Sequence, residues 1–206
     1  MPKHIRHTTP EGIASYPWLN KPDTKFDPDG VYKCNILIES DKAKSVISAI
    51  DKAYDQNVIN VKEETGKSKI KPADKPYVIG SKDDPIVAPG QVMFKVKCKA
   101  KIKDTEVRPH VVDSKGTQLV GTDIYGGSKV RVCMDLVPYY VSTTGAGITL
   151  RLIGVQVLEL QDAPAPDLST MGFKEEEGFM VENNNEVESD DGKQKQKEEI
   201  SNEDFI

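Results

Sequence analysis

Residues 91–103 read Gln91-Val92-Met93-Phe94-Lys95-Val96-Lys97-Cys98-Lys99-Ala100-Lys101-Ile102-Lys103, and they alternate with a period of two. Val92, Phe94, Val96, Cys98, Ala100 and Ile102 fall on one side; Lys95, Lys97, Lys99, Lys101 and Lys103 fall on the other. Successive side chains of a β-strand point to opposite faces, so the pattern predicts one long strand with a packed face and a cationic face. Residues on one face repeat about every 6.7 Å, which turns the ammonium groups into a rail. The plain alternative is a solvated face or a lysine-blunted sheet edge. Five like charges repel one another, and solvated faces usually mix signs, so the reading adopted is a track for a polyanion.

The charge balance of the whole chain supports that reading. The 206 residues carry 28 Lys and Arg against 33 Asp and Glu, a net charge of −5. The acid is concentrated at one end. Residues 162–206 hold 14 acidic and 4 basic residues, which leaves 24 basic and 19 acidic residues for positions 1–161. A basic body with an acidic tail points toward nucleic acid. The tail opens with Asp162-Ala163-Pro164-Ala165-Pro166 and contains Glu175-Glu176-Glu177, Asn183-Asn184-Asn185 and Asp190-Asp191. Such a composition buries too little apolar surface to offset the entropy of ordering, so the tail is expected to be disordered. It closes on Glu203-Asp204-Phe205-Ile206, an acidic and apolar end that suits a partner contact better than mere solubility.

Outward from the lysine stretch, the rest of the body reads mainly as strands. Residues 13–19 (IASYPWL) predict a short edge strand, because Pro17 lacks a donor. Val31–Glu39 alternates with Tyr32, Cys34, Ile36 and Ile38 on one face. Ser40 or Asp41 then caps a helix over about 42–59, with a stripe of Val46, Ile50, Ala53, Tyr54, Val58 and Val61. Residues 62–90 are rich in Lys, Asp, Pro and Gly and predict a long functional or mobile loop with a short apolar patch at 77–79. Strands follow at 106–113, with Pro109 marking an edge or bulge, and at 128–137, closed by Pro138-Tyr139-Tyr140. In the last strand, 147–160, the apolar phase changes at Gly154, which predicts a β-bulge bending the strand around a small barrel.

Catalytic signals are weak. The chain has no GxSxG, P-loop, HExxH or post-strand GxGxxG pattern, and Gly126-Gly127-Ser128-Lys129 leads into a strand instead of the helix that a phosphate loop needs. Asp113, Asp123 and Asp135 read as turn-formers and exposed strand positions rather than metal ligands. The three cysteines and three histidines complete no zinc spacing, so neither metal nor cofactor is expected. Cys34 and Cys98 read as buried free thiols of a reducing compartment. No apolar run approaches a membrane span, and the N-terminal MPKHIRHTTPEG lacks a signal-peptide stretch, so a soluble intracellular protein is expected.

Binding signals are stronger. Recognition of a single strand without regard to sequence needs cations along the backbone and aromatic faces for the bases. The cations are Lys33, Lys95, Lys97, Lys99, Lys101, Arg108, Lys129 and Arg131; the candidate platforms are Trp18, Tyr32, Tyr125, Tyr139 and Tyr140, of which Trp18 reads equally as a core or edge plug and Tyr32 and one of Tyr139 and Tyr140 as core residues. Five-stranded barrels of the oligonucleotide-binding (OB) type present such groups across a strand face and two loops. The expected fold is therefore mainly β: an OB-fold-like barrel of five to six strands with one added helix (residues 1–161) and a disordered acidic interaction tail (162–206).

Several segments strengthen this reading in order along the chain: Gly30-Val31-Tyr32-Lys33, Phe94-Lys95-Val96-Lys97-Cys98, Val111-Val112-Asp113-Ser114-Lys115-Gly116, Gly126-Gly127-Ser128-Lys129-Val130-Arg131-Val132, Leu136-Val137-Pro138-Tyr139 and the strand at 155–160. Together they resemble the single-stranded DNA-binding proteins of podovirus-type bacteriophages over most of 12–161, acidic tail included. The resemblance implies an OB-fold with an added helix, a homodimer, and a role in phage DNA replication, recombination and annealing in the cytoplasm of an infected host. It also implies that the tail, through Glu203, Asp204, Phe205 and Ile206, contacts the phage DNA polymerase and the helicase–primase. The family's tail ends on an aromatic residue, whereas here Phe205 is penultimate, and residues 62–90 match poorly. The competing reading from the residues alone is a non-enzymatic virion or scaffold protein whose sheet binds acidic protein surfaces.

Overall fold

The computed structural model describes residues 5–163, with Gly172 and Glu177 as single positions beyond them. The chain divides into Met1–Ala165 and Pro166–Ile206, and the fold is that of the first unit. Of the acidic tail, all but Asp162, Ala163, Gly172 and Glu177 lies outside the described residues, its four terminal residues included.

In order, the elements are β1 (Ile5–Thr8), β2 (Gly12–Asp23), β3 (Val31–Glu39), α1 (Ser40–Thr65), β4 (Tyr77–Ile79), β5 (Gln91–Phe94), β6 (Val96–Lys99), β7 (Lys101–Ile102), β8 (Thr105–Glu106), β9 (His110–Val112), β10 (Lys129–Val141) and β11 (Gly145–Glu159). Five of them close a ring. β2 pairs with β3, β3 with β6, β6 with β11, β11 with β10, and β10 returns to β2. Only the β6–β11 pair of that ring is parallel. The architecture is the OB type, mainly β with one helix. β1 adds to β10, β5 and β4 extend from β3, and β9 lies beside β11.

Alternation fills the ring. Tyr32, Cys34, Ile36 and Ile38 of β3 point inward with Val96 and Cys98 of β6, and with Val130, Val132, Met134 and Leu136 of β10. Ile148, Leu150, Leu152, Val155 and Val157 of β11 complete the core. Each large aliphatic or aromatic side chain so buried contributes about 1.5–3 kcal/mol. The phase change in β11 is a bulge: Cys133 faces Gly154 while Met134 faces Leu152, leaving Ile153 as the extra residue.

The lysine stretch is not one strand. It breaks at Lys95, whose N–H goes to the Pro76 carbonyl (2.9 Å), so β5 and β6 pair with successive parts of β3. It breaks again at Ala100, whose N–H goes to Gly30. β7 then leaves the ring to form a hairpin with β8, with Lys103 left-handed at its turn (φ 55°). Ile102, read as packed, is therefore 50 % exposed. Alternation specifies a face but does not reveal where a barrel strand must bend.

β2 differs as well. It is twelve residues long and a full member of the ring, not a short edge. Pro17 is accommodated in a bulge between Ser15 and Trp18, with Tyr16 at φ 49°, one of the few places a ring strand tolerates proline. β10 likewise runs through Pro138 to Val141 instead of stopping there. Past Leu136, where β1 ends, β10 has only β11 as a strand neighbour among the described residues, so a missing N–H need not break a ladder.

Helix α1 exceeds its apolar stripe because Lys62, Glu63 and Glu64 are good helix formers, and it ends at left-handed Gly66, whose N–H bonds Lys62 O at 2.9 Å. The expected Ser40 or Asp41 cap is absent. Glu39 holds the N-cap position without a side-chain bond, and the Ser40 N–H is taken by the Gly90 carbonyl at 2.8 Å. Asn57, polar within the stripe, is buried because its amide donates to the carbonyls of both Tyr139 and Gly147 at 2.9 Å. It bolts the helix to the β10–β11 hairpin. Asp113 closes a turn by accepting from Lys115 and Thr117, as read from sequence. Asp135 is not an exposed carboxylate: it is buried and receives Arg6 Nε at 2.8 Å and Nη2 at 3.2 Å.

Two expectations follow. Asn57→Ala leaves the buried Gly147 carbonyl and the half-buried Tyr139 carbonyl short of a donor and should cost about 2–4 kcal/mol, read from denaturant midpoints. Burial pushes the Cys34 thiol up to about 12 and the Cys98 thiol up to about 11. At pH 8 the reactive thiolate of Cys98 is roughly one part in a thousand and that of Cys34 smaller still. Mass spectrometry after iodoacetamide treatment should therefore find at most Cys133, which is half-buried, modified in the native protein, and all three cysteines modified in denaturant.

Candidate nucleic-acid interface

The outward residues of the ring strands are fixed by the same alternation that fills the core. Cross-strand register then lines them up: Trp18 faces Lys33, Lys33 faces Lys97, Lys97 faces Arg151, and Arg151 faces Asp135, which holds Arg6. With strands about 4.8 Å apart, Trp18 to Arg151 spans roughly 14 Å of the outer surface. One pleat along, Lys99 faces Val31, and Lys95 immediately precedes β6 at its other end. Lys95, Lys97 and Lys99 are all exposed. The rail predicted from sequence thus comes down to Lys97 and Lys99 on the ring strand, with Lys95 at the break before it.

Trp18 is 43 % exposed, with Lys33 Nζ 5.6 Å from its ring centroid. Lys33 also donates to Asp23 Oδ2 at 2.5 Å. That bond, together with the Lys25 N–H, holds the Asp23 carboxyl below the usual carboxylate range. Asp23 therefore stays ionised at neutral pH and partly neutralises Lys33. Lys129 is similarly matched: Glu159 lies at 2.5 Å and raises its pKa.

An open, mostly apolar trough of about 750 Å³ lies along the outer face of β2 and β3, with Ser15 one register pair from Trp18. Ile13, Ser15 and Leu37 form its floor; Tyr16, Ile86 and Tyr125 stand around it. Tyr16 is 67 % exposed, a candidate platform that sequence reading missed because the bulge at Pro17 takes it out of strand phase. Arg151 was missed too, since it stands alone among apolar residues and only register brings it to Lys97. Tyr32, by contrast, is core and no platform.

The remaining predicted residues do not all converge on the row. Lys101 and Arg108 border a small cleft of about 160 Å³ with Asp29 and Glu106. Arg131 is exposed on β10 opposite Gln156, beyond β11, and Lys129 faces Ile13 at the β10–β2 seam. Tyr139 and Tyr140 sit near the tip of the β10–β11 hairpin. The Tyr139 ring lies across Gly147, where an added Cβ would meet its hydroxyl oxygen at 2.6 Å, so one ring face is backed. Tyr140 accepts a hydrogen bond from Lys67 Nζ at 3.2 Å. Among the described residues, no group of three or more His, Cys, Asp or Glu is placed to hold a metal ion, and no helix is long and apolar enough to cross a membrane.

A closed five-stranded ring with aromatic rings and cations side by side on its outer face defines an OB-type module suited to single strands. The chain belongs to the family of the single-stranded DNA-binding protein of bacteriophage T7, whose description matches residues 11–160. Among solved structures it is similar to gp2.5, a single-stranded DNA-binding protein encoded by bacteriophage T7. That likeness is 28 % identical, covers 87 % of this chain and all of the other, and has a TM-score of 0.68. It also shares the fold of the single-stranded DNA-binding protein from bacteriophage Enc34 in complex with ssDNA, at 21 % identity over 78 % of this chain and 89 % of that one, TM-score 0.59. No curated protein matches the sequence.

If the row is the interface, its two partners of Lys33 act in opposite directions. Asp23→Asn should raise oligo-dT affinity about two- to five-fold at low salt by releasing Lys33. Trp18→Ala should lower it by about 1–3 kcal/mol, the worth of one stacked base. Fluorescence anisotropy of labelled oligo-dT reads both.

Proposed function

We propose that the protein binds single-stranded DNA without sequence preference, as a non-enzymatic coating protein of phage DNA replication, recombination and annealing. The observation that carries this reading is the row Trp18–Lys33–Lys97–Arg151, which sets an aromatic platform and successive cations across one outer face of the ring. Bases face the trough and stack on Trp18, with Tyr16 and Tyr125 beyond it. Phosphates follow Lys95, Lys97 and Lys99. Apolar and aromatic contacts accept any base, because every base has a π-face, and ammonium groups accept any phosphate.

The domain division proposed is a DNA-binding body, 1–161, and an interaction tail, 162–206. The tail competes with DNA for the same cations, since both are polyanions, and DNA binding shifts the population toward a released tail. Glu203, Asp204, Phe205 and Ile206 then serve as the hook for the phage DNA polymerase and the helicase–primase. The active form is a homodimer in the cytoplasm of the infected cell. Lys101 and Arg108 extend the phosphate path at one end; Lys129 and Arg131 lie at the start of β10, outside the row, and contribute long-range attraction.

The test is oligo-dT affinity against salt for the full chain and for a chain ending at Gln161. Each phosphate neutralised contributes about −0.7 to the slope of log K on log salt, so Lys95, Lys97 and Lys99 predict a slope of about −2. The shortened chain should bind more tightly at low salt. Absence of binding by both forms would overturn the reading. Equal affinities would remove tail competition while leaving the interface in place.

A further inference from the structure

Between α1 and β4 runs a basic stretch, Gly66-Lys67-Ser68-Lys69-Ile70-Lys71-Pro72-Ala73-Asp74-Lys75-Pro76. It is fastened at both ends of its course. Ala146 N–H donates to the Lys71 carbonyl at 3.0 Å, and Ala73 N–H donates to the Ala146 carbonyl at 2.9 Å, so the stretch lies beside the start of β11 like a short parallel strand. Gly145, left-handed at φ 104°, admits the close approach, since a Cβ there would strike the Lys71 carbonyl. Lys71 Nζ reaches the Thr143 carbonyl at 3.2 Å at the hairpin turn. At the other end, the Pro76 carbonyl accepts from Lys95 N–H. The stretch therefore begins where the lysine rail of β6 stops.

Its charges are unevenly used. Lys75 is tied to Asp51 at 2.6 Å and covers the rings of Tyr54 and Tyr77. Among the described residues, Lys67, Lys69 and Lys71 form no ion pair; Lys67 instead lies over Tyr140, 5.8 Å from the ring centroid. Within the row, by contrast, Lys33 already has Asp23. The hairpin tip thus gathers three uncompensated cations and an aromatic ring, the same two chemistries as the row, at the end of the same rail.

We propose that residues 67–71 with Tyr140 form a second single-strand subsite, which continues the DNA path from Lys95 to the tip of the β10–β11 hairpin. The proposal rests on the reading of the row as a single-strand interface and adds its extent. The parallel register of β6 on β11 sets the scale: Lys97 is level with Arg151, so the path from Lys99 to the level of Gly145 runs along roughly 26 Å of strand. A short oligonucleotide occupies the row alone. A longer one reaches the tip and places phosphates on Lys67, Lys69 and Lys71 with a base near Tyr140.

The experiment compares two lengths of oligo-dT, of about four and about sixteen nucleotides, the limits of OB-fold site sizes. They are titrated against the full chain and against the triple variant Lys67→Gln, Lys69→Gln, Lys71→Gln. The variant should bind the long strand at least tenfold more weakly in low salt, with a salt slope shallower by about 2, since each phosphate contributes about 0.7. Its affinity for the short strand should be unchanged. The matching Lys→Arg triple should restore long-strand binding, because it keeps the charge. Equal long-strand affinity in variant and parent overturns the subsite. An equal loss at both lengths that the Arg triple does not restore also overturns it, by making the loop a structural support. If the parent chain binds neither length, the row itself is wrong, a failure distinct from either of these.

Discussion

Closure of the ring is the constraint on which the rest depends. β2 must pair with β3 along one edge and with β10 along the other, and β6 must meet β11 in parallel. With those seams made, inward residues become core and every other residue is forced outside. The outside then inherits a fixed register. Trp18, Lys33, Lys97 and Arg151 are scattered over the sequence, yet backbone pairing sets them side by side. Bulges at Pro17 and Gly154 supply the curvature that closure demands. The helix closes against the hairpin through Asn57, so the β10–β11 tip is held by a bond to α1 as well as by its own ladder.

The electrostatics of that face follow from how many of its cations are already matched. Ammonium groups about 6.7 Å apart repel by roughly 0.6 kcal/mol in water, and salt screens part of that. Such repulsion is tolerable in the folded protein and is relieved when a polyanion binds. Asp23 relieves it at Lys33, Glu159 at Lys129, and Asp135 engages Arg6. Lys95, Lys97 and Lys99 form no ion pair among the described residues. Affinity on this account is set by a contrast: paired cations beside Trp18 and unpaired ones along β6. The aromatic trough adds attraction that salt does not screen.

Much of the fold was legible because alternation is a strong local signal. Val31–Glu39 is a strand to the residue, Gly154 marks a bulge, and the apolar steps of α1 lie where periodicity puts them. What escaped is non-local. Nothing in residues 91–103 says that Lys95 gives its N–H to Pro76 or that the strand must divide there. Nothing near Asp135 announces Arg6, about 130 positions away, and Asp135 therefore looked exposed. Of the proposed site, the cations beside and within β6 and Trp18 were readable as types in a pattern. Arg151 and Tyr16 were not: one needs the β6–β11 register, the other the left-handed conformation in the bulge between Ser15 and Trp18. Tyr32 could be read from sequence either as part of the packed face or as a platform, and its burial decides for the core.

Trp18 is the only tryptophan in the chain, and it stands at the end of the row with Lys33 over its ring. Its emission therefore reports on the interface without a label. The most direct measurement is a titration of the full chain with oligo-dT, following tryptophan fluorescence and the anisotropy of a labelled strand together. The account predicts that Trp18 emission is quenched in step with binding and recovers when salt releases the strand. Binding seen by anisotropy with Trp18 emission unchanged would place the DNA elsewhere on the molecule and contradict the account.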